Sequence, residues 1–152
     1  MKPADFIAAI APAARASMAL TGIPASFTIA QAALESGWGS SKTAANARNL
    51  FNIKADAGWH GPFWEMASTE VINGKSMLVP ARWRLYPDWQ ACFDDRAKFF
   101  STNKRYAACF KAVGGEAWAR VVHAAGYATD PAYADKIIAT MRSRNLQQFD
   151  KP

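Results

Sequence analysis

The chain has 152 residues, 51% of them hydrophobic, which suits one domain with a proper core and excludes wholesale disorder. A net charge of +6 favours polyanionic partners, but no Lys/Arg run of the kind that makes a nucleic-acid arm is present; Arg82 and Arg84 alternate with apolar residues. Two cysteines and two histidines are too few for a disulfide framework or a His-based metal site, so Cys92 and Cys109 read as buried free thiols and neither metal nor cofactor is expected.

Residues 4–20 predict a first helix, with Phe6, Ile7, Ile10, Ala14 and Met18 near one face. Asp5, Pro12 and Arg15 interrupt its Ala-rich run, so it does not read as a signal peptide, and no stretch approaches the ~20 apolar residues of a membrane span. Thr21-Gly22-Ile23-Pro24 breaks the helix, and Pro24 suits the first turn of the next.

That second helix ends in Ala30–Gly39. Ile29, Ala30, Ala33 and Leu34 give it an apolar face, and Gly37 stands where a left-handed cap is needed. Glu35 falls in the final turn. The carbonyl end of a helix disfavours negative charge by about 0.3–1 kcal/mol, and burial beside apolar groups penalises the charged form further. A carboxyl held protonated near neutral pH can act as a general acid. A surface glutamate near a helix end is the commoner case, so the surrounding residues must shift the balance.

Ser40 or Ser41 can cap a short helix through Ala47. Asn49–Lys54 is a compact apolar stretch with polar interruptions. Residues 55–64 read as a loop carrying Trp59, Phe63 and Trp64, equally a sugar platform or a flap pinned to the core. Residues 66–86 carry the clear β signal. Asn73-Gly74 marks a two-residue hairpin turn, which pairs Ile72 with Lys75 and Glu70 with Met77.

Asp88 can cap a helix through Thr102, with Trp89, Cys92, Phe93, Phe99 and Phe100 facing inward. Asn103–Ala112 reads as a short helix. Glu116–Ala125 places Trp118, Val121, Val122 and Ala125 on one face and stops at Gly126. Asp130 and Pro131 suit the start of a last helix that buries Ala134, Ile137, Ile138 and Met141, and residues after about 144 read as a polar tail. The sum is a single α+β domain over residues 1–152, mainly helical with one hairpin.

Ala30–Gly39, Asn49-Leu50-Phe51-x-Ile53-Lys54, Ser68-Thr69-Glu70-Val71-x-Asn73-Gly74-Lys75, Arg84-x-Tyr86, and Gly126–Asp130 running on through Tyr133, Ala134, Lys136 and Ile137 follow one another in the order of a known family. Together they resemble the glucosaminidase family of peptidoglycan hydrolases, over nearly the whole chain from about Pro24 to Met141. The resemblance implies a lysozyme-like fold, a helical lobe and a small β-hairpin lobe with a cleft between them. It implies hydrolysis of the β-1,4 bond on the reducing side of N-acetylglucosamine. Glu35 matches the family's catalytic acid, Glu70 the hairpin glutamate proposed as its partner, and Tyr127 a tyrosine lining the cleft. Trp38, Asn49 and Phe51 match positions near the acid; Trp59 and Tyr86 are further expected sugar contacts. The family usually has Gly where this chain has Asn52 and Phe where it has Trp83; Asn tolerates left-handed backbone and Trp keeps the aromatic bulk.

Three routes for the second chemical role stay open: Glu70 as base, Glu70 as nucleophile, or the substrate's own N-acetyl group with Tyr127. Rival readings are a muramidase or lytic transglycosylase, a catalytically silent wall-binding module, and, more weakly, a nucleic-acid binder. The expected partners are peptidoglycan strands and an anionic wall or lipopolysaccharide surface, met as a monomer. The absence of an export signal suits a phage-type endolysin held in the cytoplasm until release.

Overall fold

The computed structural model describes residues 1–152. Helix α1 (Pro3–Thr21) ends at Gly22, whose φ of 79° lets its N–H reach back to the Met18 carbonyl at 2.8 Å. It lies against α2 (Ala25–Ser36), the middle of the fold. Every residue of α2 from Ala25 to Ala33 is buried, because α1, two later helices and the C-terminal turn cover it on all sides. Ser41 caps α3 (Lys42–Ala47) by accepting from the Ala44 N–H at 3.1 Å.

The β part consists of two antiparallel pairs. Strands β2 (Ser68–Ile72) and β3 (Lys75–Val79) form the hairpin, with Ile72 opposite Lys75 and Glu70 opposite Met77 as the Asn73-Gly74 turn requires. The second pair corrects the sequence reading of residues 55–64 as loop throughout. Phe63–Glu65 is strand β1, and it pairs with β4 (Arg82–Arg84), Trp64 opposite Trp83. Three-residue strands are too short to show alternation, and their partners here lie far apart in sequence.

Helix α4 (Trp89–Thr102) starts at Asp88, whose carboxylate accepts from the Ala91 N–H at 2.8 Å. Its inward face is Cys92, Phe93, Arg96, Ala97 and Phe100, whereas Phe99 is 41% exposed. The next segment, Lys104–Lys111, is a 3-10 helix that buries Tyr106 and Cys109. Helix α5 (Gly115–Ala124) buries Trp118, Ala119 and Val122. Helix α6 begins later than its capping signal suggests, at Tyr133, and runs to Ser143. Asp130 instead closes the turn before it, accepting from the Ala132 N–H at 2.9 Å.

The expected polar tail is part of the body. Leu146 is fully buried, and Leu146–Asp150 forms a 3-10 turn against α2. There Asp150 accepts from the Ser26 amide at 2.8 Å and the Ser26 hydroxyl at 2.6 Å. Cys92 and Cys109 are both buried free thiols.

Candidate active site

The C-terminal end of α2 is fastened at several points. Gly37 (φ 56°), Trp38 (φ 57°) and Gly39 (φ 81°) are successive left-handed residues. The Gly39 N–H donates to Ser36 Oγ at 2.9 Å, and that hydroxyl donates to the Ala32 carbonyl at 2.6 Å. A Cβ at position 39 would meet the Phe6 ring at 2.9 Å, so the turn packs where only glycine fits. From the next loop, Asn52 (φ 55°) donates to the Glu35 carbonyl at 3.3 Å and accepts from the Thr43 hydroxyl at 2.6 Å. Asparagine therefore holds the left-handed position and links the helix end to the loop beside it.

Glu35 stands at the wall of a cleft of about 970 Å³. Phe51, Asn52 and Ile53 line it beside the carboxyl; Lys54, Asp56, Arg84, Asp95 and Lys98 give it a charged side; Tyr127, Ala128 and Thr129 line it as well. Burial pushes the Glu35 carboxyl above its ordinary value, and a hydrogen bond from the Tyr133 hydroxyl to Oε1, 2.9 Å, pulls the other way. The Tyr133 oxygen accepts from Gln31 Nε2 at 3.0 Å. Gln31 Oε1 accepts from Arg96 Nη1 at 2.8 Å, and Arg96 Nη2 donates to Thr28 Oγ1 at 2.6 Å.

Arg96 is 1% exposed and pairs with no carboxylate. Its guanidinium lies 4.8 Å from the Phe51 ring centroid, 5.4 Å from Phe100 and 5.6 Å from Phe27. Burial lowers its pKa to about 10, which leaves it a cation at neutral pH. Tyr127 stacks on Tyr133 at 5.7 Å and 29°, and burial followed by the nearby Glu35 charge raises its phenol. Both tyrosines therefore stay neutral in the working range.

The cleft carboxylates other than Glu35 are engaged. Asp95 accepts from Arg84 Nη1 at 2.8 Å and from the Tyr86 hydroxyl, and Asp56 lies 3.5 Å from Arg84 Nη2. Glu70 does not line the cleft. Its Oε1 accepts from Lys54 Nζ at 2.8 Å and from the Ser68 hydroxyl at 3.2 Å, which hold its carboxyl below the usual range.

Of the residues expected from sequence, the structure brings Glu35, Phe51 and Tyr127 together in one cleft. Asn49 is fully buried and braces the scaffold: it accepts from the Ile53 N–H and donates to the Ile53 and Arg84 carbonyls. Trp38 packs edge-on against Phe6 at 5.8 Å, with Arg144 over its ring. Trp59 and Tyr86 line an adjoining pocket of about 260 Å³, which shares Asp95 and Lys98 with the cleft, and there the Trp59 indole donates to the Pro62 carbonyl. Sequence reading gave no role to Arg96, Gln31 or Tyr133. The available signals were an arginine in the apolar stripe of α4, and a glutamine one turn before Glu35 on the same face of α2.

Residues 11–146 match the glucosaminidase family, described as mannosyl-glycoprotein endo-beta-N-acetylglucosaminidase. The chain is 37% identical over 142 residues to the peptidoglycan hydrolase FlgJ of Salmonella typhimurium, which spans 91% of this chain and 45% of that protein. It is 38% identical over 131 residues to the exo-glucosaminidase LytG of Bacillus subtilis, 83% of this chain and 46% of the relative. The chain thus spans a little under half the length of these curated relatives. Among solved structures, a C-terminally truncated glycoside hydrolase domain of Salmonella typhimurium FlgJ superposes with a TM-score of 0.82 at 36% identity, covering 95% of this chain and 98% of that one. The catalytic domain of the autolysin Auto from Listeria monocytogenes gives 0.85 at 30% identity, with 97% and 87% covered.

Proposed function

This chain belongs to the glucosaminidase family and has its lysozyme-like α+β fold, and from that membership we propose that it hydrolyses the β-1,4 bond on the reducing side of N-acetylglucosamine in peptidoglycan, with Glu35 as general acid. The observation that carries the reading is the state of Glu35. It is the cleft carboxyl without a cation partner, and burial raises its pKa, while Asp56 and Asp95 are each paired with Arg84. The printed names of the relatives, peptidoglycan hydrolase and exo-glucosaminidase, support the substrate class.

A glycosidic oxygen leaves poorly as an alkoxide. Glu35 gives it a proton as the C1–O bond breaks, and the sugar ring takes on oxocarbenium character. The electron-poor C1 then needs a partner. The substrate's acetamido oxygen can bond to C1, after which water displaces it and returns a proton to the Glu35 carboxylate. Tyr127, in the cleft beside Glu35 with an un-ionised phenol, is suited to orient that acetamido group. This route is favoured over Glu70, which lies outside the cleft lining in an ion pair with Lys54. As general base, Glu70 would have to leave its ion pair with Lys54 and hold a water at roughly 6.5–9.5 Å from Glu35.

The net charge of +6 suits adhesion to anionic wall polymers, which salt should weaken. Turbidity clearing of purified wall tests the reading: wild-type protein clears it, and folded Glu35→Gln protein does not.

A further inference from the structure

The hydrogen bonds behind Glu35 can run in one direction only. Arginine has donors and no acceptor, so Gln31 must turn its carbonyl oxygen to Arg96, as the 2.8 Å contact shows. The amide nitrogen of Gln31 then faces Tyr133 and donates to its oxygen at 3.0 Å. With that oxygen accepting, the Tyr133 proton points to the remaining acceptor, Glu35 Oε1 at 2.9 Å. Oε1 is thereby occupied as an acceptor, and the carboxylic proton belongs on Oε2.

We propose that Arg96, Gln31 and Tyr133 are positioning residues that hold the transferable proton of Glu35 on Oε2, the oxygen left to the substrate. The Tyr133 hydrogen bond also counters the effect of burial on this carboxyl. The inference rests on the reading of Glu35 as general acid.

The surroundings of Arg96 support it. A buried arginine that served packing alone would be expected to pair with a carboxylate. This one sits among three aromatic rings, spends two nitrogens on Gln31 and Thr28, and leaves Nε without a partner. The other charges near Glu35 are compensated or exposed. On α4, Asp95 is matched by Arg84 of β4, and Lys98 is solvent-exposed. In the loop after α3, Lys54 is matched by Glu70 and Asp56 lies by Arg84. Tyr127, before α6, and Tyr133, on α6, are neutral phenols, and His123 of α5 lies 6.2 Å from the Tyr133 ring. Arg96 is therefore the buried cation at the far end of the hydrogen-bond chain that ends on Glu35, and each donor polarises the next.

Tyr133→Phe is the test. It keeps the ring stacked on Tyr127, adds no charge, and removes the hydroxyl that donates to Glu35 Oε1. The Glu35 carboxyl is followed by carbon-13 NMR titration, using Glu35→Gln to assign its signal, beside the pH profile of kcat on soluble glycan. The expected result is a Glu35 titration moved to higher pH, a basic limb of kcat moved with it, kcat lower by about 10- to 100-fold, and KM unchanged. If neither the titration nor the limb moves in the folded variant, the chain of hydrogen bonds is scaffold and the inference falls, with the acid role of Glu35 untouched. If the titration moves and the limb does not, Glu35 is not the reaction's acid and both readings fall. Should Tyr133→Phe not fold, Gln31→Met breaks the link between Arg96 and Tyr133 without adding a charge, and shifts in the same direction are expected.

Discussion

The Tyr133 hydroxyl lies 2.9 Å from Glu35 Oε1, a hydrogen bond between residues 98 apart in the chain. It joins the first turn of α6 to the last turn of α2. The same tyrosine supports Tyr127 by stacking, so the acid and the tyrosine beside it are set by one side chain.

Replacing Glu35 should stabilise the fold while removing activity. The carboxyl's value is raised in the folded state above its ordinary 4.5. Below the ordinary value both states hold the proton. As pH rises past it, the unfolded chain releases the proton first, so the native state loses stability until its own raised value is passed. The amide introduced by Glu35→Gln does not titrate. Thermal melts should show the Tm of Glu35→Gln gaining on wild type as pH rises above the ordinary 4.5 and levelling off once the raised value is passed. An unchanged difference across that range would place Glu35 in open water.

Activity should fall on the alkaline side as Glu35 loses its proton, at a pH above the ordinary glutamate range. Glu70→Gln should retain that limb and part of its turnover, because Glu70 is bound to Lys54 outside the cleft lining. Complete loss of kcat in Glu70→Gln, with the fold intact, would instead give the hairpin carboxylate the second chemical role.

Asp150→Ala should lower the urea midpoint. It removes both acceptors of Ser26, a residue with no exposed surface, and leaves its amide and hydroxyl unsatisfied. The expected cost is about 2–3 kcal/mol. A neutral result would mean that the C-terminal turn only rests on α2.

Gly39→Ala should cost about 1–3 kcal/mol, since the new Cβ meets Phe6 at 2.9 Å and the φ of 81° is left-handed. Wild-type stability in a denaturant titration would show that the turn after Glu35 has room to relax.

Local signals carried much of the fold. The Gly37 cap, the Ser41 and Asp88 caps and the Asn73-Gly74 register are decided by neighbouring residues, and each matches its sequence reading. What escaped depends on distant partners. Strand β1 exists through β4, and the C-terminal turn through Ser26. At the site, Glu35 and Tyr127 stood out through their motifs, whereas the role of Arg96 appears only when Gln31 and Thr28 of α2 meet it. Asn49 shows the converse: it follows the motif closely, yet its amide is consumed by backbone groups.

Mass spectrometry of the fragments released from purified peptidoglycan tests the central claim most directly. Wild-type protein should release chains ending in reducing N-acetylglucosamine, and Glu35→Gln protein should release none. Fragments ending in reducing N-acetylmuramic acid or in its anhydro form would contradict the proposed bond and reaction.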